Sequence, residues 1–454
     1  MRMPASPPEL NDIYRRVMNR DPEAAPQLFM LQPEPENHYR HWDDVRRHPA
    51  PAGMDDSEAW WFALKMRRNL ARQGTWFRDT QNREFWFTEP NFIRAGLRNV
   101  DLNWGGLLGA ATPTGLPTAG EARTYLVRSL AEEPFSSSFL EGAATTREIA
   151  KQLIFKGRAP RTRDERMVLN NYRALSFVKQ NVSRPLTVEL ILETHRIVTE
   201  GTLERPEMAG VFRGTDDDIR VFDDTTGEVL HAPPSANELQ ARAELLCEFA
   251  NEAAPDRGFI HPVVRAIIIH FMLAYDHPFV DGNGSTARAL FYWSMLRSGY
   301  WLAEYASISS AINQAPVKYG RAFLETETDD ADLTYFIVHQ CRMIEQAEQA
   351  LRAYIERKRG EVDSLASELD RTRRDGGYNH RQTTLLNDFV RRRSPSATIA
   401  DYQHVHSVSY HTARNDLEEL TAKGLLLKRR AGRESHYVPA SGLERKLLGE
   451  PRRP

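Results

Sequence analysis

One stretch constrains this chain more than any other: His277-Pro278-Phe279-Val280-Asp281-Gly282-Asn283-Gly284-Ser285-Thr286-Ala287-Arg288. It separates two apolar segments and so dictates a helix, a loop and a second helix. Upstream, Val263 to Leu273 is strongly apolar and follows Pro262, a residue suited to a helix's first turn. Downstream, apolar side chains recur at helical spacing from Thr286 to about Arg297 and stop near Gly299. Ile267, Phe271, Leu290, Phe291 and Met295 read as core, and Phe279 as an anchor for the loop.

The loop gathers four kinds of chemistry. His277 titrates near neutrality and can accept a proton. Asp281 offers hard oxygen ligands to a divalent cation. Gly282, Asn283 and Gly284 tolerate a left-handed or nest-like backbone whose amides converge on an anion, and the helix start adds its dipole. Arg288, one turn in, is placed for the far end of a polyphosphate. Turn residues alone also serve to join helices, but a base, a carboxylate, an anion nest and a cation in this order describe a nucleotide site.

The run resembles the signature of the Fic (filamentation induced by cAMP) family of nucleotidyltransferases, His-x-Phe-x-Asp/Glu-Gly-Asn-Gly-Arg-x-x-Arg. One fixed position departs from it: Ser285 stands where the family has arginine. The resemblance covers about residues 125 to 345. It implies a mainly α-helical Fic core with a β-hairpin flap, and a protein adenylyltransferase that moves AMP from ATP, with Mg2+, to a Tyr, Ser or Thr hydroxyl of a protein, itself included. His277 is then the catalytic base and Asp281 the metal ligand. Gly282, Asn283, Gly284, Ser285 and Arg288 hold the nucleotide, and Tyr319 resembles an aromatic near the family's adenine pocket.

Two further segments fit the resemblance. Ser137-Ser138-Phe139-Leu140-Glu141-Gly142 matches the family's inhibitory pattern, in which Ser137 and Glu141 restrain Arg288, since a glutamate beside that arginine takes the place of a terminal phosphate. A helix cap would use the same residue types. Ile219-Arg220-Val221-Phe222 and Glu228-Val229-Leu230-His231 read as a hairpin, which in Fic proteins is the flap along which a target segment lies as an added strand.

With 454 residues, the chain is long enough for two to four domains, and 41% hydrophobic with 27% charged residues suits ordinary cores. Only Cys247 and Cys341 are present, which argues against a disulfide framework. Met1 to Arg20 lacks a secretory signal and no apolar run approaches the ~20 residues of a spanning helix, so a cytoplasmic protein without a membrane partner is expected. The domains are read as an N-terminal region, 1–123, Pro-rich at first; a Fic domain, 124–345; a helical linker, 346–377; a winged helix-turn-helix, 378–440; and a tail, 441–454.

Glu165 to Glu200 reads as two helices broken near Arg184-Pro185, with Leu169, Tyr172, Leu175, Val188, Ile191 and Leu192 as core. Asp332 to about Asp370 reads as a long charged helix with Phe336, Ile337, Ile344, Leu351 and Ile355 on one side, a spacer or a coiled-coil contact that leaves a homodimer open. From Asn379 onward, 14 Lys and Arg oppose 8 Asp and Glu, an excess of 14 − 8 = 6. That segment resembles a winged helix-turn-helix. Ser409, Tyr410, His411, Thr412 and Arg414 would face a DNA groove, and Arg430 and Arg433 would meet phosphate from the wing. Winged helices also dock proteins, and Asp416, Glu418 and Glu419 weaken the electrostatic case.

Ser285 leaves three outcomes: a slowed enzyme, an enzyme for another phosphate donor, or a nucleotide binder. Arg213 and Arg220 are the cations considered as substitutes. The alternative from another class is a DNA-binding regulator whose Fic core senses nucleotide or is catalytically impaired.

Overall fold

The computed structural model describes residues 2–23, 25–31, 38–105, 127–223, 226–251, 258–374, 377–390, 396–431 and 434–447. Residues 106–126, positions 375 and 376, Arg433 and the end of the tail lie outside them. The chain divides into two compact units, Met1–Leu351 and Arg352–Pro454. The division falls inside the helix Thr334–Arg374.

In the first unit, helix α1 (Leu10–Arg20) and the segment after it rest on α2 (Ser57–Leu70). Ile13, Leu28 and Val45 are buried there against Trp60, Trp61, Phe62 and Leu64. So Pro-rich a segment is not expected to order by itself, and this contact orders it. Strands β1 (Gln73–Arg78) and β2 (Glu84–Phe87) form an antiparallel hairpin in which Phe85, Trp86 and Phe87 are fully buried. Then follow α3 (Asn91–Trp104), α4 (Glu132–Leu140), α5 (Arg147–Lys156), α6 (Arg163–Gln180) and α7 (Val188–Thr199). Thr162 and Thr187 cap the last two, each accepting a backbone N–H three residues on.

After α7 come the hairpin β3 (Val221–Phe222) and β4 (Val229–His231), then α8 (Leu239–Ala250), α9 (Pro262–Asp276), α10 (Asn283–Arg297), α11 (Pro316–Thr328) and α12 (Thr334–Arg374). Helices α9 and α10 pack on each other, and all of α9 except Pro262 and Ala274 is buried. A helix apolar all round is a central one. The periodicity of α6 and α7 is partly misread from sequence: Leu169, Tyr172, Leu175, Val188 and Leu192 are only half-buried, and Val168, Ala174, Val178 and Leu190 take the core with Ile191. Tyr172 and Leu175 line a cavity instead.

The second unit contains α13 (His380–Val390), β5 (Ala397–Thr398), α14 (Ile399–His406), α15 (Tyr410–Ala422), β6 (Leu426–Ala431) and β7 (Glu434–Pro439). Its antiparallel sheet runs β5-β7-β6. The two-residue β5 carries too little pattern to be foreseen. Leu386, Phe389, Leu417, Leu420 and Tyr437 form the core. Asp416 is buried, accepting hydrogen bonds from Asn379, Arg381 and Tyr402, so it is a strut of this unit and not a surface charge. Among the described residues, no helix is long and apolar enough to cross a membrane.

Candidate functional site

Helix α9 ends where His277 turns left-handed, φ 45° and ψ 54°, its N–H donating to Leu273 O at 3.1 Å. That conformation is uncommon for a residue with a Cβ, and Arg213 holds it in place. The guanidinium donates from Nε to His277 O (2.9 Å) and from Nη2 to Pro234 O (2.5 Å). Asn283 fastens the other side of the turn. Its Oδ1 accepts the Phe279 N–H at 2.9 Å and its Nδ2 donates to Phe279 O at 2.8 Å. Phe279 is fully buried, its ring stacked on His195 with centroids 3.6 Å apart.

His195 is itself a loop support: Nε2 donates to Asp281 O (2.9 Å) and Nδ1 accepts the Gly210 N–H (2.9 Å). Burial lowers its pKa to about 4, so the neutral ring that this pattern needs is the one present at neutral pH. Gly282 sits at φ 79°, and a Cβ there would lie 2.7 Å from Thr199 Cγ2. Glycine is required at this position on both counts.

Helix α10 starts at Asn283, three residues before the sequence pattern turns helical, because Gly-Asn-Gly are poor helix formers whose place is set by the turn. Gly282 supplies no capping side chain. The N–H groups of Asn283, Gly284 and Ser285 have no protein acceptor among the described residues. Open donors at a helix start, with the helix dipole behind them, make an anion seat.

Asn283 and Gly284 border a cavity of about 260 Å3, lined among others by His277, Arg288, Glu141, Tyr319 and Glu327. His277 Nδ1 lies 3.3 Å from Ala274 O, which assigns the ring proton to Nδ1 and leaves the Nε2 lone pair unshared. Burial lowers the pKa of His277 to about 4, so the ring is neutral at pH 7. Asp281 is exposed, with Oδ1 accepting the Gly282 N–H (2.7 Å) and Oδ2 3.4 Å from Arg163 Nη2. Among the described residues no three His, Cys, Asp or Glu side chains converge as a metal cage. A lone carboxylate fits Mg2+ only when phosphate oxygens complete the shell.

Arg288 is 2% exposed. Its Nη2 donates to Glu141 Oε1 (2.7 Å), Ser137 O (3.2 Å) and Ser285 Oγ (3.3 Å), and its Nε to Ser137 Oγ (2.9 Å). Glu141 is the C-terminal cap residue of α4. A Cβ on Gly284 would overlap Glu141 Oε1 and lie 2.9 Å from Arg288 Nη1, so the close approach of α4 depends on that glycine. Glu133 pins α4 from its other end, accepting hydrogen bonds from Ser307 and Ser309. Ser285 is buried, 3% exposed, beside the guanidinium.

The flap is shorter than the sequence suggests. Val221 and Phe222 pair with His231 and Val229, while Ile219 and Arg220 precede the strand, and residues 224 and 225 lie outside the described residues. Val221 lines the cavity and Phe222 is exposed. Neither substitute cation is available for the place left by Ser285: Arg213 is committed to carbonyls and Arg220 pairs with Asp218 on the surface. Tyr319 lines the cavity and shares a 2.9 Å hydrogen bond with His270 Nε2. In the second unit, Ser409 caps α15 and bonds Thr412, Arg414 pairs with Glu418 at 3.0 Å, and Tyr410, His411 and Arg430 are exposed. Sequence reading missed Arg163, His195, His231, Glu133 and Glu327. Each stands far along the chain from its partner, and no local pattern marks it.

Residues 185–295, which span α7, the hairpin, α8, α9, the loop and most of α10, match the model of the Fic/DOC family. The chain carries a Fic/DOC-family domain. Among curated proteins, the Fic domain's relatives include "Protein adenylyltransferase Fic" of Nematostella vectensis, 32% identical over 136 residues, 29% of each chain. The protein of that name in Drosophila grimshawi is 32% identical over 129 residues, 28% of this chain and 24% of its own. This chain therefore spans less than a third of those relatives' length. Of solved structures, Fic-1 from C. elegans is similar at 18% identity and TM-score 0.48, covering 77% of this chain and 88% of that one. A Fic family protein from Desulfovibrio desulfuricans G20 gives 17% and 0.47, covering 76% and 94%.

Proposed function

We propose that this protein transfers AMP from ATP to a hydroxyl side chain of a protein, itself among the substrates, and that Glu141 holds it in check. One observation carries the reading: an unshared imidazole nitrogen, open amides at a helix start and a buried arginine border a single cavity. The arginine and amides take the polyphosphate, and His277 Nε2 faces the hydroxyl. The hydroxyl oxygen attacks the α-phosphorus, its proton passes to His277 Nε2, and the bond to pyrophosphate breaks. Helix α10 stabilises the departing charge through its free N–H groups and Arg288. Asp281 would hold Mg2+, which when bound neutralises phosphate charge. The target segment lies along the flap beside the exposed Phe222.

With Glu141 on Arg288, the γ-phosphate loses its cation and ATP has no productive seat. Ser285 lowers the rate further, since a missing phosphate-binding arginine is worth roughly 10³ in rate by analogy with arginine fingers. Intact-mass spectrometry after incubation with ATP tests this: Glu141→Gly should gain AMP adducts, while the parent gains few. Equal adduct levels in both proteins would remove Glu141 from the account.

The second unit supports a further reading as a winged helix that binds DNA through α15 and the β6-β7 wing. The order helix, strand, helix, helix and hairpin, with Tyr410, His411 and Arg430 exposed, favours it. A salt-dependent gel shift should vanish on deletion of residues 378–454. A shift that persists in the truncated protein contradicts it.

A further inference from the structure

We infer that Glu327 selects the nucleobase, favouring purines with a 6-amino group over those with a 6-oxo group. This rests on the nucleotide reading above. The cavity has two chemically distinct parts. Arg288 and the start of α10 supply a buried guanidinium and open N–H donors at one end, and so take the phosphates. What remains for the base is the wall formed by Tyr319, Gly320, Phe323, Leu324 and Glu327, which recur at the spacing of one face of α11. That wall is apolar and aromatic apart from the carboxylate, and Val221, Leu230 and His231 of the hairpin line the same space.

The carboxylate is only half satisfied. His231 Nδ1 lies 2.8 Å from Glu327 Oε2, and His231 Nε2 lies 2.8 Å from Tyr275 O. Both ring nitrogens therefore meet acceptors, an arrangement that only the doubly protonated imidazolium satisfies. Burial opposes that charge, but Glu327 and the Tyr275 carbonyl outweigh it and raise the pKa of His231. Held against the imidazolium, the Glu327 carboxylate serves as an acceptor. Its Oε1 has no hydrogen-bond partner among the described residues. An acceptor left open in an apolar wall asks the ligand for a donor.

The 6-amino group of adenine supplies one N–H to one oxygen. A 6-oxo purine would set its carbonyl lone pairs against the carboxylate. A 6-oxo purine could donate to the open oxygen only through N1–H, which takes a base position different from the one that brings the 6-substituent to Glu327.

The test is equilibrium binding of ATP, purine riboside triphosphate and inosine triphosphate to Glu141→Gly protein, with Glu327 intact or changed to Gln or Ala. With Glu327 intact, purine riboside triphosphate should bind about tenfold weaker than ATP, and inosine triphosphate weaker still. Glu327→Ala should flatten the series. Glu327→Gln, whose amide can donate as well as accept, should bind inosine triphosphate at least as well as ATP, a reversal that a merely structural role would not produce. Equal binding of ATP and inosine triphosphate by the Glu327 protein, or an ATP preference that survives in Glu327→Ala, overturns the inference and leaves the nucleotide site standing. No binding of any triphosphate by folded protein overturns both.

Discussion

Glu141 Oε1 lies 2.7 Å from Arg288 Nη2, tying the end of α4 to the first turns of the helix that follows the loop. The two residues are 147 positions apart, and the pair sets the protein's own carboxylate on the arginine that lines the cavity. Glu141→Gly should therefore do two opposite things. Stability should fall by about 1–3 kcal/mol, because a buried guanidinium loses its charged partner and keeps only Ser137 and Ser285. Adenylylation should rise at least tenfold, and Arg288→Ala in that background should abolish the rise. Thermal melts and intact-mass spectrometry on the same samples separate the two effects.

His277→Ala should abolish transfer while leaving ATP binding within a few-fold of the parent, since imidazole removes a proton and does not hold phosphate. The pH profile carries the same assignment. Burial depresses this histidine to about 4, so the base form persists as pH falls and is lost only near that value. For Glu141→Gly protein, the acidic limb of kcat should fall near pH 4 to 5 instead of near 6.5. A limb at 6.5 would give the base role to another group.

Asn283→Ala should destabilise the protein by about 2–4 kcal/mol without any nucleotide present, because it leaves the Phe279 N–H and C=O buried and unpaired. A melting temperature equal to the parent's would mean that the side chain serves the ligand alone.

Ser285→Arg should raise transfer most in the Glu141→Gly background. In the parent, a second guanidinium at a position only 3% exposed competes for the same carboxylate and has little room. Steady-state rates for the four combinations at positions 141 and 285 should place the double variant first. If Ser285→Arg lowers the rate in both backgrounds, the site has been rebuilt around serine.

The helix-loop-helix, the buried α9 and the phenylalanine anchor were legible because apolar periodicity and turn chemistry are local. The Glu141 and Arg288 pairing was also within reach, since each residue sits in a recognisable pattern. The supports were not. Arg163 reaches Asp281 across 118 positions, His231 meets Glu327 across 96, and nothing near either residue distinguishes it from an ordinary surface or strand residue. The core faces of α6 and α7 were misassigned because cavity-lining Tyr172 and Leu175 carry the same apolar signal as core residues. Ile219 and Arg220 were read into β3 by β-propensity, which a two-residue strand cannot register.

Nucleotidyl transfer itself is tested most directly by which phosphorus ends on protein. Glu141→Gly protein incubated with ATP labelled at the α-phosphate should retain label through denaturation, ATP labelled at the γ-phosphate should leave none, and His277→Ala should abolish the α signal. Retention of the γ label, or of neither label by a folded and nucleotide-bound protein, would contradict the account.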